Sequence, residues 1–82
     1  MIPEALQDQL RQHGISDCGE VALREQLESR VETYTLIKLA LWPARRWKCR
    51  YRLLLGDQMY DAQSAAEAYA LGLLAVLPEP SH

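Results

Sequence analysis

Residues Trp47–Leu55 constrain the fold most, because they alternate without a break. Trp47, Cys49, Tyr51, Leu53 and Leu55 share one parity, and Lys48, Arg50, Arg52 and Leu54 share the other. A period of two over this length fits a strand with one buried face and one solvated face. The expected strand therefore carries a basic outer face. Gly56-Asp57 follows as a two-residue hairpin turn, and Gln58–Asp61 as a short third strand.

Val31–Trp42 reads as the preceding strand. Val31, Thr33, Thr35, Ile37, Leu39 and Leu41 share one parity and are expected on its buried face. Glu32, Tyr34, Leu36, Lys38, Ala40 and Trp42 make a mixed face. Pro43–Arg46 supplies the turn, since proline cannot continue a central ladder.

Helices are expected at both ends. Pro3 suits a first helical turn, Glu4 favours the positive helix end, and Leu6 and Leu10 share a face. Gly14 reads as the left-handed residue just past a helix over Pro3–His13, with Ile15 making the accompanying apolar contact. Asp17-Cys18-Gly19-Glu20 has capping-box spacing and leads into Val21–Glu28, which is rich in helix formers. A strand is the competing reading there, because Val21, Leu23 and Leu27 share parity; the scarcity of β-branched residues favours helix. Ser64-Ala65-Ala66-Glu67 is a second capping box. It starts a helix that runs to about Leu77 and is stopped by Pro78.

These elements predict an α+β fold: two N-terminal helices, an antiparallel meander of two or three strands, and a C-terminal helix packed on the sheet. An α-β-β-β-α order is the alternative. Trp47, Cys49, Tyr51, Leu53 and Leu55 with Ile37, Leu39 and Leu41 would form the apolar sheet face. Tyr69, Leu73, Val76 and Leu77 would cover it. A length of 82 residues with 49% hydrophobic and 24% charged residues fits one small domain over 1–82, with 77–82 as a frayed tail.

The net charge of −2 hides a segregated pattern. Residues 1–32 balance to −4, residues 33–56 to +6 and residues 57–82 to −4, and five of the nine bases fall in Arg45–Arg52. The chain as a whole is thus no polycation, yet its hairpin is strongly basic. The start lacks a basic and apolar leader, and the most apolar stretch, Ala65–Leu77, is too short to span a bilayer. Two cysteines, Cys18 and Cys49, cannot make a disulfide framework, although one bridge between them is an option. A cytoplasmic protein is the expectation.

Trp47–Gly56, then Met59-Tyr60 and Ser64–Leu77, resembles the second half of a double-stranded-RNA-binding domain. The likeness lies in the order of strand, turn, short strand and Ala-rich helix, with Ala66-Glu67-Ala68-Tyr69-Ala70 matching an "AE..A" pattern. It implies a strand over Val21–Leu27 and an RNA-facing basic surface. The family's lysine cluster at the start of this helix is replaced here by Ala65 and Ala66.

No chemistry-bearing constellation stands out. His13 sits at a helix C-terminus and His82 ends the chain, so neither joins the cysteines at metal-ligand spacing. Turn formation accounts for Asp57, and proximity to a helix N-terminus for Asp61. No enzyme activity, metal or cofactor is expected.

Two surfaces are the candidates for binding. Arg45, Arg46, Lys48, Arg50 and Arg52, with Trp42 beside the turn, form a basic row whose spacing of roughly 7 Å suits phosphates or an acidic protein. Glu20, Glu25, Glu28 and Glu32 could instead fold over the row and neutralise it. The second surface is the back of the last helix, where Ala68, Gly72 and Ala75 form a small-residue track beside Leu71 and Leu74. Such a face is covered either by the chain's own helices or by a second copy in a homodimer. The expected function is a small non-catalytic binding or adaptor protein acting through a protein–protein interface. A nucleic-acid-binding module using Arg45–Arg52 is the alternative.

Overall fold

The computed structural model describes residues 2–39 and 50–78. The order is α1 (Glu4–Gln12), α2 (Glu20–Glu28), β1 (Thr35–Lys38), β2 (Tyr51–Leu55), β3 (Gln58–Ala62) and α3 (Ala65–Val76). The strands form one antiparallel sheet in the order β1-β2-β3. The fold is α+β, as the alternation and capping signals predict. The segment Val21–Leu27 is helical, so the α-β-β-β-α order and the strand implied by the RNA-binding resemblance do not hold. Trp42, Arg45, Arg46, Trp47, Lys48, Cys49 and the 79–82 tail lie outside the described residues.

Local chemistry sets most boundaries. Past α1, the Ile15 amide donates to Leu10 O and the Gly14 amide to Arg11 O, both at 2.9 Å. Gly14 has φ +83°, and Ile15 and Leu10 are both buried, so the helix closes in a Schellman motif with its apolar contact. Gly56, at φ +56°, leads the two-residue turn that places Leu55 opposite Gln58. The α3 cap is as expected: Ser64 Oγ accepts from the Glu67 amide at 3.1 Å. The α2 cap is not. Gly19 is the N-cap, and Asp17 Oδ1 accepts from the Gly19 amide at 2.9 Å. Asp17 thus forms an Asx turn that leads into the helix.

The first strand is shorter than expected and shows its other face to the core. The Val31 amide still donates to Leu27 O, so the chain leaves α2 late and β1 begins only at Thr35. Leu36 lies opposite Leu53, which is fully buried, while Ile37 lies opposite Arg52 and is exposed. Tyr34 and Leu36 therefore pack inward, and Thr35, Ile37 and Leu39 belong to the outer parity. Both parities of this segment are apolar enough to be buried, so tertiary contact decides. Tyr34 meets the Tyr69 ring edge-on, with centroids 6.0 Å apart and planes at 88°.

Helix α3 is the centre of the molecule. A Cβ built at Gly72 would run into Leu53 Cδ2, which places this position directly on β2. On a 100° wheel, Ala68 falls beside Gly72, whereas Leu73, Ala66 and Ala70 lie on the adjoining arc. All five are buried, and α3 contacts α1 and α2 as well as β2 and β3. Ala68 and Gly72, read from the sequence as part of an outer small-residue track, thus face the interior, while Ala75 of that track is exposed. Gly72 lets the helix come close to β2. Val76, expected in the core, is 37% exposed. The fully buried leucines Leu10, Leu23, Leu27, Leu53 and Leu73 link all three helices to β2. Each contributes roughly 1.5–3 kcal/mol by leaving water. Among the described residues no charged or polar side chain is buried.

Candidate functional site

With α3 on one face of the sheet, the other face presents two cross-strand rows. Thr35, Leu54 and Met59 form one, and Ile37, Arg52 and Asp61 form the other. Met59 is 61% exposed and Ile37 38%, and Leu54 is half-buried. Three apolar side chains thus surround a charged pair. Arg52 Nε donates to Asp61 Oδ1 at 2.8 Å, and Arg52 Nη2 donates to Asp61 Oδ2 at 3.2 Å. This is a two-pronged pair, which fixes both side chains flat across β2 and β3.

The hairpin explains the pairing. A two-residue turn at Gly56-Asp57 sets Leu54 opposite Met59 and Arg52 opposite Asp61. Asp61 therefore serves as the cross-strand counter-charge of Arg52 rather than as an acid beside a helix N-terminus. Of the described members of the basic row, Arg52 is paired by β3 through Asp61, and Arg50 shares a cleft with Glu20 of α2. Arg50 is exposed and keeps the ladder going: its amide donates to Ala62 O at 2.8 Å, and its carbonyl accepts from the Leu39 amide at 2.7 Å. The other members of the row, Arg45, Arg46 and Lys48, and Trp42 beside them, lie outside the described residues.

The five positions expected on the back of α3 separate. Ala68 and Gly72 are buried inside the chain, Leu71 and Leu74 are half-buried, and Ala75 is exposed. They do not form one continuous open face. The residues that sequence reading misses are Ile37 and Met59. Met59 could have been found from the turn alone, since it must lie opposite Leu54. Ile37 could not, because its exposure depends on which parity of β1 turns inward.

Described residues line two open clefts. One, of about 350 Å³, is lined by Lys38 and Arg50 but also by Glu20, so its charge is mixed. The other, of about 530 Å³, lies between α2 and β1 and carries Glu28, Glu32 and Tyr34. There the Tyr34 hydroxyl donates to Glu28 Oε2 at 2.6 Å. Burial, that carboxylate acceptor and neighbouring Tyr69 together push the Tyr34 phenol above its ordinary range. Cys18 is a half-buried free thiol packed against the core. Among the described residues no group of three or more His, Cys, Asp or Glu side chains could hold a metal ion. No described helix is long and apolar enough to cross a membrane. Compared with protein-family models, curated proteins and solved structures, the chain matches none.

Proposed function

We propose that this chain is a small non-catalytic binding or adaptor protein that acts through a protein–protein interface on the outer face of its sheet. One observation carries the reading: Ile37, Leu54 and Met59 stand exposed or half-exposed around the hydrogen-bonded Arg52–Asp61 pair. Exposed apolar side chains around a satisfied polar pair are a composition that suits a protein interface. Met59 adds an adaptable, polarisable contact. The fitting partner presents an apolar face with charges of both signs near its centre. The alternative, a nucleic-acid module using Arg45–Arg52, has Arg50 in its favour as an exposed cation. Against it, Arg52 is already engaged by Asp61.

The test is capture of a partner by wild-type protein and by variants. Met59→Glu or Ile37→Glu is expected to abolish capture, and Leu71→Ser with Leu74→Ser to retain it. Retention of duplex or single-stranded RNA or DNA, falling steeply with salt and lost on replacing Arg50 and Arg52 with Glu, would replace this reading with the nucleic-acid one.

A further inference from the structure

We infer that the outer sheet face docks an acidic protein segment, with apolar side chains over Ile37, Leu54 and Met59 and a carboxylate against Arg50. This partner chemistry rests on the protein interface proposed above. Arg50 supplies the charge. It is exposed, and among the described residues it belongs to no ion pair. Its amide and carbonyl continue the ladder past the start of β2, so it shares the outward parity of Arg52 and Leu54. Leu54, Arg52 and Arg50 thus follow one another at steps of roughly 7 Å. The first stands in the row of Met59 and the second in the row of Ile37. An occupant lying along β2 therefore meets an apolar row, then Ile37 beside the Arg52–Asp61 pair, and then a cation about 14 Å from Leu54.

Charge selects the partner. Residues 33–62 carry six bases and two acids, a balance of +4 in a chain whose net charge is −2. The cleft beside Arg50 repeats the bias, with Lys38 and Arg50 against Glu20 among its described lining residues. An acidic partner is drawn to such a segment, which raises its association rate, and a carboxylate at Arg50 fixes its register. A nucleic-acid backbone fits less well. It offers no apolar group to the exposed Ile37 and Met59, and Asp61 stands on the same face to repel phosphates. A second copy would bring the same +4 segment against itself.

Selection from a phage library of random peptides about twelve residues long, enough to span that distance as a strand, tests it. The wild-type protein is expected to enrich peptides that combine apolar residues with Asp or Glu. A selected peptide, labelled for fluorescence anisotropy, should lose about tenfold in affinity on Arg50→Glu, because like charges then meet. Replacing its acids with Lys should restore binding to Arg50→Glu and weaken binding to wild type. Arg50→Gln, with a smaller loss, serves if Arg50→Glu fails to fold by circular dichroism. Met59→Gln is neutral and alters an exposed side chain, and it should cost about tenfold through lost apolar contact. A wild type that enriches no acidic, apolar peptide overturns the inference. So does an affinity unmoved by either change at Arg50. Enrichment of apolar peptides without acids, lost on Met59→Gln, overturns the acidic partner and leaves the interface reading standing. Enrichment indifferent to changes at both Met59 and Arg50 overturns both. Retention of RNA or DNA oligonucleotides, lost on Arg50→Glu and in high salt, assigns the cation to nucleic acid and overturns the acidic segment. A peptide-free wild type that sediments at twice its 9.4 kDa mass, and returns to monomer on Met59→Gln, assigns the face to a second copy and overturns it too.

Discussion

Gly72 of α3 rests on Leu53 of β2. A methyl group at position 72 would overlap Leu53 Cδ2 and lie 3.2 Å from Leu55 Cδ1. Leu53 is fully buried, flanked in the sheet by Leu36 and Tyr60. The close approach brings one arc of α3 onto the sheet and leaves the adjoining arc to α1 and α2. A single apolar helix thereby serves two packing layers, and no described helix packs on the opposite face of the sheet.

Gly72→Ala sets two effects against each other. Alanine gains about 1 kcal/mol of helix propensity. Overpacking a closed core costs about 1–3 kcal/mol. Because Leu53 has no exposed side to move toward, overpacking wins, and a net loss of about 1 kcal/mol is expected. It would be read as a lower urea midpoint at unchanged slope. Adding Leu53→Val trims the overlapping group, so the double variant should be more stable than the two single losses predict when added. A Gly72→Ala protein as stable as its parent would mean that the helix and sheet are not in this contact.

Boundaries were legible in the sequence wherever a short motif fixes them. Gly14 with Ile15, Gly56 with Asp57, and Ser64 with Glu67 each act through neighbouring backbone groups, so a few residues suffice. Faces were less legible. Val31–Leu39 carries apolar residues on both parities, and only Tyr69 and Leu53, far along the chain, select Tyr34 and Leu36 for the interior. Helix α3 is apolar nearly all round, so its periodicity cannot say which arc meets the sheet. The Arg52–Asp61 pair at the centre of the candidate site is implicit in the turn, since two residues between the strands dictate the register. Its apolar surround is not, because Ile37 becomes exposed only once β1 has chosen its face.

Ser64→Ala removes the acceptor that the Glu67 amide uses at the start of α3. Loss of such a cap costs about 1 kcal/mol. As α3 contacts every other element except β1 closely, its first turn cannot fray independently of the core. The whole domain should melt roughly 4–8 °C lower by circular dichroism. Ser64→Asp keeps an acceptor there and should restore most of the loss. Equal melting of Ser64→Ala and wild type would show that the cap adds nothing to global stability.

Alkaline stability tests the Tyr34 environment. Burial first, then the hydrogen bond to Glu28, raises the phenol above its ordinary value of about 10. The folded state then holds this proton more tightly than the unfolded chain does. The resulting stability is fully present below about pH 10, and is lost as pH rises from there through the folded-state value. The urea midpoint should therefore fall above about pH 10 in wild type. Tyr34→Phe should cost about 0.5–1 kcal/mol at neutral pH, through the lost hydrogen bond. Its midpoint should then fall less steeply in alkali, because the tightly held Tyr34 proton no longer contributes to the linkage. Phenolate absorbance gives a second reading, with wild type retaining one late-titrating tyrosine that the variant lacks. Identical alkaline slopes in the two proteins would show that the Tyr34 proton is not held by the fold.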